Sequence, residues 1–271
     1  MRPVDSFAGD GPLVLGLPHC GTHVPDDILA RFNPTGAALA DTDWHVDRLY
    51  RDLLPGVSWA RANFHRYVID ANRDPEGVSL YPGQNTTGLC PTTDFEGAPI
   101  YLPGQEPDAD EITARLHAWH APYHAALRGL IDRALAKHGV AILFDCHSIR
   151  SEIAFLFDGV LPDLNLGTND GKSCAAPLQE AVTLVMRKAE GFSGVVNGRF
   201  KGGWTTRHYG QPGTGVHAIQ LELAQKTHLA QEAAPFDYDT EKAARLRPVL
   251  QAMLEQLQAL APHLEEGKSH G

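Results

Sequence analysis

Three short segments carry side chains suited to hydrolytic metal chemistry. His19 follows the apolar run Leu13 to Leu17, Asp145 and His147 follow Val140 to Phe144, and Glu222 lies in the alternating run Val216 to Leu223. Two imidazoles and a carboxylate make a common zinc set that keeps one position open for water. A further carboxylate beside them can serve as general base. Each residue alone is more simply a polar group at a strand end. Their joint occurrence at the carboxyl ends of apolar runs, where ligands of α/β sheets sit, favours a site.

His19 has no HxxE or HExxH spacing around it, so the acidic ligand must come from another segment. The stretch Asp41 to Asp47 offers several donors, and Asp43 and Asp47, four apart, would share one face of a helix. Their mutual repulsion would be relieved by a cation, although acids at a helix start also favour the macrodipole without any function. A rival set, His117, His120 and His124, stands at spacings of three and four. Pro122 disturbs that face, and one helix surrounds an ion poorly, so a solvated or substrate-facing role is expected for these three.

Asn72 and Arg73 offer an amide beside a planar guanidinium fork, which suits a carboxylate. Arg207 lies between Gly202 and Gly210, where glycine lets backbone approach a ligand closely. The structural alternative for Arg73, a surface pair with Asp70 or Asp74, carries equal weight at this level. No GxSxG elbow, GxGxxG loop or Walker A loop is present, so nucleophilic-serine and nucleotide chemistry have no support.

The elements that would hold these residues follow from hydrophobic spacing. Strands are expected over Leu13 to Leu17, Val57 to Ala62, Arg66 to Asp70, Val140 to Phe144, Ile153 to Phe157, from Val195, and over Val216 to Leu223. Helices are expected over Asp26 to Phe32, Ala38 to Leu54, Glu111 to His138 with a kink at Pro122, Ala175 to Gly191, and Thr240 to Leu264. Glu76 to Gln105 and Gly198 to Gly215 read as loops, the first long enough to suggest function. The alternation of strands and helices predicts an α/β fold, a single domain over residues 1–271 with a mostly parallel sheet. On the last strand, Val216, Ala218, Gln220 and Glu222 share one face, and the apolar Ile219, Leu221 and Leu223 share the other.

Composition sets the outer bounds. The chain has 271 residues, 43% hydrophobic and 21% charged, which is ordinary for a globular protein. A net charge of −10 argues against nucleic acid as a partner. No apolar run approaches the roughly 18 residues of a membrane span, and no secretory pattern is evident. The four cysteines are widely spaced without a CxxC pair, so a reducing cytoplasm is the expected setting.

The segments PHCGTHVP (18–25), DTDWHVDRLY (41–50), VIDANRDP (68–75), FDCHS (144–148), GWTTRHYGQP (203–212) and HAIQLELAQ (217–225) together resemble the N-formylglutamate amidohydrolase family. That family is similar, at a distance, to zinc carboxypeptidases. The resemblance implies a three-layer α/β/α fold with a mostly parallel mixed sheet, and zinc-dependent release of formate and L-glutamate from N-formyl-L-glutamate in histidine breakdown. It implies His19 and His147 as metal ligands, Glu222 as general base, and Asn72, Arg73 and Arg207 around an acidic small-molecule substrate. The wider group places a glutamate three residues after the first histidine, where this chain has Thr22. The acidic ligand is therefore expected at Asp47, with Asp43 the alternative. The rival readings are another N-acyl amino acid hydrolase or small zinc carboxypeptidase, and a catalytically silent amino-acid-binding domain.

Overall fold

The computed structural model describes residues 1–78 and 85–266, so positions 79–84 of the expected long loop lie outside the described residues. The strands are β1 (Val4–Phe7), β2 (Leu13–Leu17), β3 (Ser58–Ala62), β4 (Ala141–Ile149), β5 (Leu164–Gly167), β6 (Gly194–Val196) and β7 (Val216–Ala224). The helices are α1 (Asp26–Leu29), α2 (Pro34–Ala37), α3 (Val46–Tyr50), α4 (Ala109–Arg115), α5 (Ala121–His138), α6 (Ala176–Lys188), α7 (Trp204–Tyr209), α8 (Thr240–Leu260) and α9 (His263–Glu266). Among the described residues the strands form one seven-stranded sheet in the order β1-β3-β2-β4-β7-β5-β6. The central pairs β3·β2, β2·β4 and β4·β7 are parallel, while β1·β3 and β5·β7 are antiparallel.

Helices cover both faces, which gives the three-layer α/β/α architecture. On one side α3, α6 and α8 pack against Leu13, Leu15, Ile142, Phe144, Ile219 and Leu221. On the other, α5 packs Tyr123, Leu127 and Ile131 against Val14, Ala141, Leu143 and Ala218. Helix α8 buries Ala243, Leu246, Leu250, Met253, Leu254 and Leu257 at three- and four-residue spacing, the stripe of a helix lying on a core. Each fully buried leucine contributes about 1.5–3 kcal/mol of transfer free energy. The Asp239 side chain caps the start of α8 by accepting from the amides of Glu241 and Lys242.

Central strands β4 and β7 are buried along their whole length, as parallel strands covered on both faces must be. Because successive side chains alternate, Ala141 and Leu143 on the α5 side carry Asp145 and His147 to that same side. Val216 and Ala218 do likewise for Gln220 and Glu222, as the alternation of β7 predicts. Helix α5 does not begin cleanly at α4. A π turn, Leu116–His120, joins the two and closes with the Ala121 amide bonded to the Leu116 carbonyl, immediately before Pro122. The kink expected at Pro122 is thus met by a helix that takes in an extra residue.

Four expected elements are corrected. The helix expected over Ala38 to Leu54 shrinks to the five residues of α3, because His45 adopts a left-handed backbone (φ 60°) that a continuous helix excludes. Arg66 to Asp70 is irregular chain rather than a strand, and Ile153 to Phe157 forms turns closed by the Ile153 carbonyl. The expected loop Gly198 to Gly215 contains α7. Two strands, β1 and β5, have no counterpart in the hydrophobic spacing; their four-residue length leaves too little pattern to find.

Candidate metal centre and substrate cleft

The site forms where β2, β4 and β7 end. In the parallel register of β4 and β7, Asp145 stands opposite Gln220 and His147 opposite Glu222. Gly16 of β2 pairs with Asp145, and a Cβ there would lie 3.0 Å from Asp145 Oδ1, so glycine gives that carboxylate its room. Two residues past β2, His19 turns toward the same point. The imidazole centroids of His19 and His147 are 5.0 Å apart.

Asp43 completes the group. One ligand atom from each of His19, Asp43 and His147 lies within 4.8 Å of the others, and all three residues are buried. Asp43 Oδ2 is 3.1 Å from His147 Nδ1 and 3.7 Å from His19 Nδ1. Behind the imidazoles stand two more carboxylates. Asp70 Oδ1 accepts from His19 Nε2 at 2.8 Å, and Asp145 Oδ2 lies 3.0 Å from His147 Nε2. Carboxylates behind imidazoles fix the ring orientation and direct the opposite nitrogen to a metal. His19 Nδ1 is buried and has no hydrogen-bond partner among the described residues, although its ring is held by Asp70. A buried, oriented and unsatisfied imidazole nitrogen beside a carboxylate is a donor set for a divalent cation.

The electrostatics agree with that reading. Burial works to raise the Asp43 carboxyl, but the Arg66 guanidinium, 3.1 Å away, and the two imidazoles hold it well below the usual range. Asp70 is likewise held low against burial, by Arg73, His19 and Arg66. His147 moves the other way: burial opposes its charge, yet Asp145 and Asp43 raise it well above the ordinary imidazole value. The protein thus surrounds His147 with negative charge that positive charge must balance.

Glu222 faces the same cleft. Burial raises its carboxyl to about 7 against the opposing pull of His147, which poises it to exchange a proton near neutrality. Gln220 Nε2 donates to Glu222 Oε2 at 3.0 Å, while the Gly203 amide donates to Gln220 Oε1 at 2.7 Å. The Thr205 amide donates to Asn72 Oδ1 at 2.9 Å, and Asn72 Nδ2 lies 3.2 Å from His147 Nε2. The start of α7 therefore holds two polar side chains of the site at once. A Cβ on Gly203 would meet the Asn72 amide at 2.3 Å, so only glycine fits there.

The cleft over these groups is lined by His19, His147, Glu222 and Asn72, by Phe95 and Phe200, and by three arginines, Arg66, Arg73 and Arg199. Arg66 is buried between Asp43 and Asp70 and is engaged in balancing them. Arg73 is held by the Thr87 carbonyl and hydroxyl and by the Asn72 carbonyl, with Asp70 3.8 Å away. Arg73 therefore stands on the cleft wall, and of its two alternative acidic neighbours it pairs with the buried Asp70. Arg199 donates its Nε to the Leu156 carbonyl at 3.1 Å.

Several sequence expectations meet this geometry differently. His19, His147, Glu222, Asn72 and Arg73 are brought together around the cleft. Asp47 is not: its carboxylate pairs with Arg61 at 2.8 Å and Arg51 at 3.6 Å, and Asp43 takes the place beside the imidazoles. The left-handed His45 lies between the two aspartates and removes the common helical face that the spacing suggested. Arg207 bonds its Nε to the Gly202 carbonyl and is not among the described residues lining the cleft, where Arg199 stands instead. His117 is exposed, but His120 and His124 are buried and donate to backbone carbonyls, not to solvent. The sequence pattern sets Gln220 on the face of Glu222 but singles out none of Asp70, Arg66 and Arg199 as site residues. The four-residue spacing of Arg66 and Asp70 was their one signal, hidden by reading that stretch as a strand.

The N-formylglutamate amidohydrolase family model matches residues 11–229. An N-formylglutamate deformylase of Pseudomonas aeruginosa is 46% identical over 262 residues, 96% of this chain and 97% of that protein. Its counterpart in Pseudomonas putida is 45% identical over 263 residues, with the same coverage. The crystal structure of N-formylglutamate amidohydrolase from Ralstonia eutropha JMP134 superposes with a TM-score of 0.78 at 25% identity, covering 98% of this chain and all of that one. On that match and these near-full-length relatives, the chain belongs to the N-formylglutamate amidohydrolase family.

Proposed function

We propose that this protein hydrolyses N-formyl-L-glutamate to formate and L-glutamate, with a divalent metal held by His19, Asp43 and His147. The observation that carries the reading is the buried, unpartnered Nδ1 of His19, aimed beside Asp43 and within reach of Glu222's cleft. Two imidazole nitrogens and a carboxylate suit zinc by donor type. Bound there, such an ion supplies Lewis acidity, which acidifies water and polarises a carbonyl oxygen.

The chain's own residues supply the remainder. Glu222 takes a proton from the attacking water, whose oxygen adds to the formyl carbon. The same proton then passes to the glutamyl nitrogen as the C–N bond breaks, leaving the free amine and formic acid, which gives up its proton to the amine to become formate. Gln220 holds one oxygen of Glu222, so that the other faces the cleft. Arg73 and Arg199 act as cationic partners for the doubly charged glutamyl moiety, which turns binding into orientation. Phe95 and Phe200 narrow the cleft and limit water.

The chain works as one catalytic domain in the cytoplasm, in histidine breakdown. Four free cysteines suit a reducing compartment, and no described helix is long and apolar enough to cross a membrane. The test is formate release from N-formyl-L-glutamate by metal-loaded protein, beside N-acetyl- and N-succinyl-glutamate and a chelated control. Formate release that needs the metal and exceeds acetate and succinate release supports the reading. Tight binding of formylglutamate without turnover would identify a silent binding domain instead.

A further inference from the structure

The segment from Tyr67 to Asn72 is buried, lacks regular secondary structure, and carries Asp70 and Asn72, with Arg73 next. Buried carbonyls outside helix and sheet need donors from elsewhere. Here they come from one side of the α4–α5 helix. Arg115 Nη1 donates to the Val68 carbonyl at 2.9 Å, His120 Nε2 to the Arg73 carbonyl at 3.1 Å, and His124 Nε2 to the Ala71 carbonyl at 2.8 Å.

The spacing of these donors is five and then four. In an unbroken α-helix, residues five apart point about 140° away from each other. The π turn Leu116–His120 lies between Arg115 and His120 and brings them to the same side. Both imidazoles face acceptors at Nε2, so both carry their proton there. His124 Nδ1 then accepts from the Tyr209 hydroxyl at 3.0 Å, which fixes the ring at both nitrogens. Burial keeps both imidazoles below the ordinary value and so neutral.

We propose that the π turn, His120 and His124 form a clamp that grips the carbonyls on either side of Asn72 and positions Asn72 and Arg73 for the substrate carboxylate. The role toward substrate rests on the proposed function. His120 and His124 are positioning residues in it, since they touch the backbone of the binding segment and not the reacting atoms.

The test compares His120→Ala, His120→Gln, His124→Ala and His124→Gln with the unaltered zinc-loaded protein. A glutamine amide can replace the Nε2–H donor, whereas alanine cannot. The readouts are amide hydrogen exchange across residues 68–74, zinc content, and KM and kcat for N-formyl-L-glutamate. The alanine variants should exchange about tenfold faster there and raise KM about tenfold, with a smaller change in kcat. The glutamine variants should recover most of both. Unchanged exchange and KM in the alanine variants overturn the clamp, and so does glutamine that performs no better than alanine. If the alanine variants do not fold, the glutamine variants decide: they must fold and keep KM within about threefold. An unaltered protein that releases no formate contradicts the proposed function, while the exchange readout still tests the clamp.

Discussion

Glu222 stands opposite His147 in the parallel register of β4 and β7, and both side chains leave the sheet toward α5. The proposed base and a proposed metal-binding imidazole are thereby set side by side by strand pairing, without a loop between them. A shift of one residue in that register would turn every side chain of one strand to the other face. The apolar Ile142, Phe144, Ile219 and Leu221, buried against α8 and its neighbours, fix the register and hence the pair.

Glu222→Gln removes the proton carrier but keeps the size of the side chain. The variant should bind zinc and N-formyl-L-glutamate as before and lose at least about 10²-fold in kcat. Steady-state kinetics with metal analysis checks this, and near-normal kcat refutes the base role.

The two aspartates separate cleanly. Asp43→Asn should abolish zinc binding and lower the melting temperature, since it removes the nearer of the two carboxylates that balance buried Arg66, a loss of up to about 3–5 kcal/mol for a buried pair. Asp47→Asn breaks a partly exposed pair with Arg61, worth about 0–1 kcal/mol, and should retain zinc. Metal stoichiometry and thermal melts of both variants decide between them.

Substrate charge should be read by Arg199 more than by Arg207. N-formyl-glutamine and N-formyl-leucine should be poorer substrates than N-formyl-glutamate by about 10²-fold in kcat/KM, a few kcal/mol for a lost charged partner. Arg199→Gln should reduce that preference and Arg207→Gln should leave it. Equal kcat/KM for the three substrates in the unaltered protein would show that the side-chain carboxylate is not recognised.

Buried neutral histidines predict acid sensitivity of the metal-free protein. Burial lowers His228 to about 4 and His124 to about 3, each against a hydrogen bond to a backbone carbonyl. Between their unfolded value of 6.5 and these folded values, the unfolded chain binds more protons. Their contribution is therefore complete above about pH 6.5 and declines as pH falls through that window. For His228 alone the drop amounts to roughly 3 kcal/mol. Urea denaturation at about pH 7.5 and about pH 5 should show a larger loss of stability in the unaltered protein than in His228→Gln.

Within the site, the two residues that strand patterning places most directly lie on long buried strands. Glu222 could be placed because β7 alternates along nine residues, and His147 because it follows the continuous apolar run Val140 to Phe144 that opens β4. Which of Asp43 and Asp47 lies beside the imidazoles depends on the left-handed backbone at His45, which composition and spacing do not encode. Asp70 and Arg66 lie on irregular chain held by Arg115, His120 and His124 from a distant helix, a tertiary relation with no local pattern. The role of the histidine triplet stayed hidden for a related reason. A π turn changes the phase of the helix, so the face read from α-helical spacing is not the face that forms.

The most direct measurement is an anomalous difference map recorded at the zinc edge from crystals of the zinc-loaded protein. One strong peak is expected about 2.0–2.2 Å from His19 Nδ1, His147 Nδ1 and an Asp43 carboxylate oxygen. A peak on Asp47, or an active enzyme with no peak beside His19 and His147, would contradict this ligand set.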